Sequence, residues 1–285
     1  WAGIIQLGQQ ALKDLGEGSE RSGLIDLRLA GAYFYKENFY QSLKCAMNAL
    51  SKPFIRVDVN LYLRSLGMAA LNCRLLAQNS LPPDQTIQFN WQKLAWKVID
   101  HTYAVWKLDQ KSAAKGEVEV MGRIAFNAGL LAQGVNQDPK KALQYYQQAL
   151  LWLKPHTSEA HQAALYHSRA NREVGAEKQV LRNLLDGLQN KLVAVPSSLQ
   201  FPTLIELSCL SYELDDFLGA FNWAQEAMEI AQKEGCNQKI AATEALLDRC
   251  QSNFSLTGID DLSLYGPGEH PECPPNLRSG EHSGQ

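Results

Sequence analysis

Three imidazoles, His156, His161 and His167, crowd one short stretch of this 285-residue chain and first suggest a metal. A structural or catalytic zinc needs three or four ligands brought to one point. His161 and His167 are six residues apart, about 600° of helical rotation rather than two full turns, so they leave different faces of a helix. His156 and His161, five apart, are also poorly placed, and no carboxylate completes an HExxH pattern. The spacing therefore predicts no metal site. The cysteines are Cys45, Cys73, Cys209, Cys236, Cys250 and Cys273, and no two form a CxxC pair. A nucleophilic thiol needs a neighbouring base and a lowered pKa, and no pattern around these residues supplies either. Cys45, Cys73, Cys209 and Cys250 lie in apolar helical stretches, as buried free thiols do in a reducing compartment. Asp215-Asp216 and Asp260-Asp261 are adjacent acids. The first pair sits in a turn just before a helix, where aspartate caps the free N–H groups and favours the dipole. The phosphate-binding, dinucleotide-binding and nucleophile-elbow patterns are absent. The sequence thus predicts no catalytic residue, no cofactor and no metal, and no enzyme activity within this stretch.

Aromatic residues are the remaining chemistry. Phe89, Trp91, Trp96, Tyr103 and Trp106 fall in one segment, with Trp96, Tyr103 and Trp106 at steps of seven and three. That stripe is expected to pack in a core. Trp91 lies off it and is the better candidate for an exposed anchor, because tryptophan is favoured where proteins bind each other.

The elements that position these residues are helices. Almost every segment between breakers carries a 3.6-residue apolar period, and no strand-like alternation persists. The pattern predicts helices over 3–15, 22–36, 39–51, 53–78, 85–109, 113–134, 139–153, 157–174, 177–193, 202–214, 217–234 and 237–252. Gly16 and Gly18 close the first, and Pro53 opens the fourth, where its missing donor is harmless. Leu81-Pro82-Pro83-Asp84 is a break, with Asp84 as N-cap. Most connections are two to five residues long, which makes neighbouring helices antiparallel. Residues 266–285 hold almost no large apolar side chains, so the chain divides into a helical array over 1–254 and a disordered tail over 255–285.

Composition narrows the function classes. Hydrophobic content is 45% and formal net charge is −3. No basic stripe is visible, which disfavours direct nucleic-acid binding. No run of eighteen apolar residues exists, so no membrane span is expected. The chain begins at Trp1 without a signal-peptide layout and is expected to be a piece of a longer, intracellular protein, cytoplasmic or nuclear.

Small and aromatic residues recur at the spacing of a helix hairpin in three places. Leu29-Ala30-x-x-Tyr33 precedes a turn at 36–39, and Ser42, Ala46 and Ala49 follow with Pro53 behind them. Ala128-Gly129 precedes Asn136-Gln137-Asp138-Pro139, then Ala142, Tyr146 and Ala149 with Pro155; here the turn carries one extra residue. Leu207-Ser208 and Ser211 precede Asp215-Asp216, then Ala220, Ala224 and Ala227, and this first helix is the poorest match. Helices approach closely only where small side chains face large ones.

On these residues the chain resembles the tetratricopeptide-repeat (TPR) superfamily over three segments. The resemblance implies an all-α fold, a right-handed α-solenoid of antiparallel helix hairpins. The intervals, 100 residues from Ser42 to Ala142 and 78 from Ala142 to Ala220, depart from a repeat of about 34, which marks a divergent array. The run Ile124-Ala125-Phe126-Asn127-Ala128-Gly129, with 142–153, is similar to segments of the meiotic Zip4/Spo22 scaffold family, and the long helices also resemble the helical arm of separase.

In tetratricopeptide arrays the inner face comes mostly from the first helix of each hairpin. The resemblance places Leu24, Leu27, Gly31 and Phe34 there in the first unit, and Ile205, Cys209 and Tyr212 in the third. These positions are mainly apolar, and the Lys/Asn/Arg set that clamps a C-terminal carboxylate in chaperone-binding members is absent. The expectation is a non-catalytic scaffold that binds another protein, as a peptide or helix, through an apolar groove including Leu24, Leu27, Phe34, Trp91, Ile205 and Tyr212. The second expectation is the helical arm of a larger, separase-like enzyme whose active site lies outside this sequence.

Overall fold

The computed structural model describes residues 1–16, 19, 21–79, 85–109, 115–134 and 136–257. Among them the chain is all-α: thirteen helices and one 3-10 turn, with no strand. They are α1 (Ala2–Leu15), α2 (Ser22–Phe34), α3 (Phe39–Ser51), α4 (Pro53–Val57), α5 (Val59–Asn79), α6 (Gln85–Asp109) and α7 (Lys115–Gly134), then α8 (Pro139–Trp152), α9 (Ser158–Glu173), α10 (Lys178–Gln189), α11 (Ser197–Glu213), α12 (Phe217–Glu234) and α13 (Asn237–Thr257). Two compact units divide the chain, Trp1–Ala170 and a second from Asn171 onward. In the first, α2 packs on α3, α5 on α6, and α7 on α8, while α5 also touches α3 and α7; in the second, α11 packs on α10 and α12, and α12 on α13. No helix among the described residues is long and apolar enough to cross a membrane.

The tight turns follow from one backbone device. After α2, the N–H of Glu37 donates to the carbonyl of Phe34 and that of Asn38 to the carbonyl of Tyr33. The same pair of bonds, three and five residues back, ends α9 at Gly175 and Ala176, α11 at Asp215 and Asp216, and α12 at Gly235 and Cys236. The first residue of each pair is left-handed, with φ of 57° at Glu37, 68° at Gly175, 65° at Asp215 and 63° at Gly235. This is the Schellman closure, which satisfies the orphan carbonyls of a helix end. In three hairpins the next helix begins at once with a capping side chain. Asn38, Asp138 and Asp216 accept from the N–H groups of Gln41, Lys141 and Gly219 at 3.2, 3.0 and 2.9 Å. The extra residue of the middle turn shows as a longer reach: Asp138 N–H bonds six residues back, to Ala132.

Close crossings hold the paired helices. Ser42 Oγ of α3 donates to the carbonyl of Ala30 on α2 at 2.7 Å. In the second unit the polarity reverses: Ser208 Oγ of α11 donates to the carbonyl of Ala220 on α12 at 2.6 Å. Leu207-Ser208, the poorest sequence match, therefore makes the same contact as Leu29-Ala30 with donor and acceptor exchanged. In the middle pair the contact is apolar. A Cβ on Gly129 of α7 would lie 2.3 Å from Tyr146 Cε1 of α8. Tyr146 is fully buried, and its hydroxyl donates to Gln133 Oε1 at 2.8 Å, so the ring is held in place.

Four helices differ from those expected by more than two residues at an end or are split. The helix expected over 53–78 is two, broken at Asp58, whose extended backbone (φ −87°, ψ 101°) ends α4 and whose Oδ1 caps α5 by accepting from Leu61 N–H at 3.0 Å. β-Branched Val57 and Val59 flank the break, which lowers its helical cost. The helix expected from 202 starts at Ser197 and carries Pro202 inside it. The helix expected to run to 193 ends at Gln189, and Leu192–Ala194 form the 3-10 turn. Helix α13 continues to Thr257, three residues into the stretch read as tail. Gly18, the 81–84 break with its Asp84 cap, the Phe89 side chain, Asp260-Asp261, Cys273 and the rest of the 258–285 tail lie outside the described residues.

Two arginines show opposite settlements of a desolvated charge. In the second unit Arg172 grips Glu206 with both ends of its fork, Nε–Oε1 at 2.9 Å and Nη2–Oε2 at 3.0 Å, with Glu206 completely buried. Burial works against that guanidinium, but the Glu206 hydrogen bonds and charge hold its pKa above the usual value. In the first unit Arg74 bonds to amide oxygens, Asn127 Oδ1 at 3.3 Å and Gln78 Oε1 at 2.6 Å, and burial pushes its pKa down to about 10.

Two stability comparisons test these contacts, both read from denaturant melts. Gly129→Ala should lose about 1–3 kcal/mol by overpacking, whereas Gly31→Ala, whose Cβ meets nothing within 4 Å, should gain up to about 1 kcal/mol of helix propensity. Glu206→Ala should lose about 3–5 kcal/mol by stranding Arg172, whereas Arg74→Met should cost less than about 1 kcal/mol because no ion pair is broken.

Candidate functional site

The residues predicted to bind sit as follows. On α2, Leu24 is 37% exposed, while Leu27 and Phe34 are half-buried. Phe34 meets the rings of Tyr35 and Phe39 at 5.7 and 5.9 Å. Trp91 of α6 is half-buried and packs on the core around Leu43, Leu66, Cys73 and Ile99. In the second unit Ile205 and Tyr212 are half-buried on α11. Tyr212 is held by α13: its hydroxyl accepts from Asn253 Nδ2 at 2.6 Å, and the Arg249 guanidinium lies over its ring at 4.2 Å. The Trp96–Tyr103–Trp106 stripe is packed against α8. Trp96 and Tyr103 meet Tyr145, Tyr103 and Trp106 meet Trp152, and Lys141 Nζ lies 3.9 Å from the Trp96 ring centre.

A cleft in the first unit brings together residues that the sequence reading did not single out. It encloses about 380 Å³, opens to solvent, and lies between α3, α4, α5 and α6. Leu50 of α3, Leu66 of α5 and Val98 of α6 form its apolar lining, with Met47 of α3 at 47% exposure. Leu50 and Leu66 belong to the unit's main core, so the floor is fixed by packing. Arg56 of α4 and Lys97 and His101 of α6 carry the polar rim with Ser51 and Tyr62.

Local sequence explains why the rim is ordered. The extended backbone at Asp58 separates α4 from α5, and Arg56 Nε on α4 donates to the carbonyl of Leu50 at 2.9 Å. That bond satisfies one of the last carbonyls of α3. Tyr62 hydroxyl and His101 Nε2 are 3.0 Å apart, joining α5 to α6, and the two rings meet edge to face. Lys97 and His101 stand one turn apart on α6. That (i, i+4) basic pair, opposite the exposed Met47, was the available signal; it is weak because such pairs are common on solvated faces. Among the described residues, no carboxylate lines the cleft.

Reactive groups elsewhere are subdued. Burial pushes the thiol pKa values up to about 11 for Cys45, about 12 for Cys73 and about 11 for Cys250, the reverse of what a nucleophile needs. Cys209, expected to be buried, is half-exposed. Among the described residues, no three His, Cys, Asp or Glu side chains converge on a point that could hold a metal. The cleft combines an aliphatic floor with two cations and an imidazole at its rim. No protein-family model matches the chain, and no curated protein is significantly similar to it.

The rim is separable from the fold. Met47→Asp and Lys97→Glu change exposed positions and should alter stability by no more than about 0.5 kcal/mol. Arg56→Ala should cost about 1 kcal/mol, the worth of its bond to the Leu50 carbonyl. Thermal melts of the three variants check the ordering.

Proposed function

We propose that the chain is a non-catalytic interaction scaffold: a divergent, tetratricopeptide-like right-handed solenoid of helix hairpins that holds a peptide or helix of another protein. The observation that carries this reading is the cleft between α3, α5 and α6, apolar at its floor and polar at its rim. That is the anatomy of a protein-recognition surface, in which the core of the patch supplies affinity and the rim sets specificity. Repeated hairpin closures and close crossings support the solenoid reading, because a stack of such pairs builds extended surfaces. The groove differs in place from the one expected from the resemblance: it uses the second helices of two adjacent pairs, α3 and α6, rather than Leu24, Leu27 and Phe34 of α2.

A rigid floor explains how binding would work. Leu50 and Leu66 are fixed by the core, so a partner side chain entering the cleft loses its own freedom without ordering the scaffold, which limits the entropic cost. Selection of a random displayed-peptide library on the full chain tests the reading. Peptides enriched on the wild type and lost on Met47→Asp, but retained on Leu151→Asp at a position 80% exposed on α8, are the expected result. A library that yields no Met47-dependent binder would refute it.

A further inference from the structure

We infer that the cleft takes an extended acidic segment of a partner protein, in which a leucine-like side chain sits between two carboxylates. This rests on the scaffold reading above and names the chemistry of its partner. Charge is the first argument. The chain carries a formal net charge of −3, yet the rim presents Arg56, Lys97 and His101 with no carboxylate among the described lining residues. Asp100, next to His101 on α6, is not part of the lining, and its charge is felt by Tyr145 of α8. Asp58, the nearest acid in sequence to Arg56, is engaged as the cap of α5. The Arg56 and Lys97 cations at the rim thus meet no carboxylate among the described residues lining the cleft.

Spacing is the second argument. Lys97 and His101 are one helical turn apart, about 6 Å along α6. Carboxylates at alternate positions of an extended peptide are about 7 Å apart, and the side chain between them turns to the opposite face. Two acids can thus meet the rim while the residue between them reaches Leu50, Leu66 and Val98. The volume, about 380 Å³, sits at the lower end of ligand pockets, which run from about 300 Å³ upward, and suits one or two aliphatic side chains. A recessed floor is the wrong shape for a membrane surface, which meets protruding apolar side chains. Nucleic acid would call for a longer cationic track.

Fluorescence anisotropy on the full chain tests this with three probes: a labelled peptide of alternating aspartate and leucine, the same peptide with asparagine for aspartate, and phosphatidylserine vesicles. The acidic peptide should bind about tenfold or more tighter than its asparagine version, and added salt should erode the difference. Lys97→Glu should abolish that preference, while Lys191→Glu, an exposed change in the second unit, should leave it intact. Equal binding of both peptides, each lost on Met47→Asp, overturns the acidic preference and leaves the scaffold reading standing. Binding of neither peptide in a Met47-dependent way overturns both. Vesicle binding lost on Lys97→Glu, with no difference between the peptides, overturns the inference in favour of a lipid surface.

Discussion

Close approach of paired helices is the constraint on which this structure depends. Where Ser42 reaches the Ala30 carbonyl, where Gly129 meets the Tyr146 ring, and where Ser208 reaches the Ala220 carbonyl, the two backbones come near enough that only a small residue fits on one side. Such contacts fix the relative height of the two helices as well as their distance. A serine hydroxyl bonded to a helical carbonyl leaves little room for sliding, because the buried donor would otherwise be orphaned. The hairpins are thereby rigid units, and each presents its outward residues at set spacings.

That rigidity gives the cleft its character. Its floor is the back of a packed core, and its rim is set by two local contacts: the Arg56 bond to the Leu50 carbonyl at the end of α3, and the Tyr62–His101 contact, which joins α5 to α6. The most strongly shifted thiols are shifted by burial away from reactivity. The fold's buried polar chemistry is structural, as in the Arg172–Glu206 pair.

Helix starts that follow a short turn were legible in the sequence. Helices α3, α8 and α12 begin at 39, 139 and 217 as the apolar period and the preceding turns predict, and Asn38, Asp138 and Asp216 cap them. The failures were equally local. The helix expected over 202–214 begins at Ser197, because the buried face formed by Leu199, Thr203 and Leu204 carries it back across Pro202. Asp58 was passed over because an apolar period continues across it, although aspartate between two β-branched residues is a poor place for unbroken helix. The partner of α5 carries Ala95, Ile99, Thr102 and Trp106 on its buried stripe. Only the first is small, so the hairpin pattern did not reveal the α5–α6 pair.

By itself the sequence determined that the described part of the chain is all-helical, where most of its helices begin, and which small residues face a neighbouring helix, because those properties depend on spacing within one element or across one short turn. Tertiary structure alone decided which exposed residues stand together. Met47, Arg56 and His101 share a cleft because α3, α4 and α6 converge over α5, and convergence between elements distant along the chain leaves no periodic trace in any of them. It also decided that Tyr212 is held under α13 by Asn253 and Arg249, since an apolar position on a helix carries the same signature whether the next layer covers it or water does.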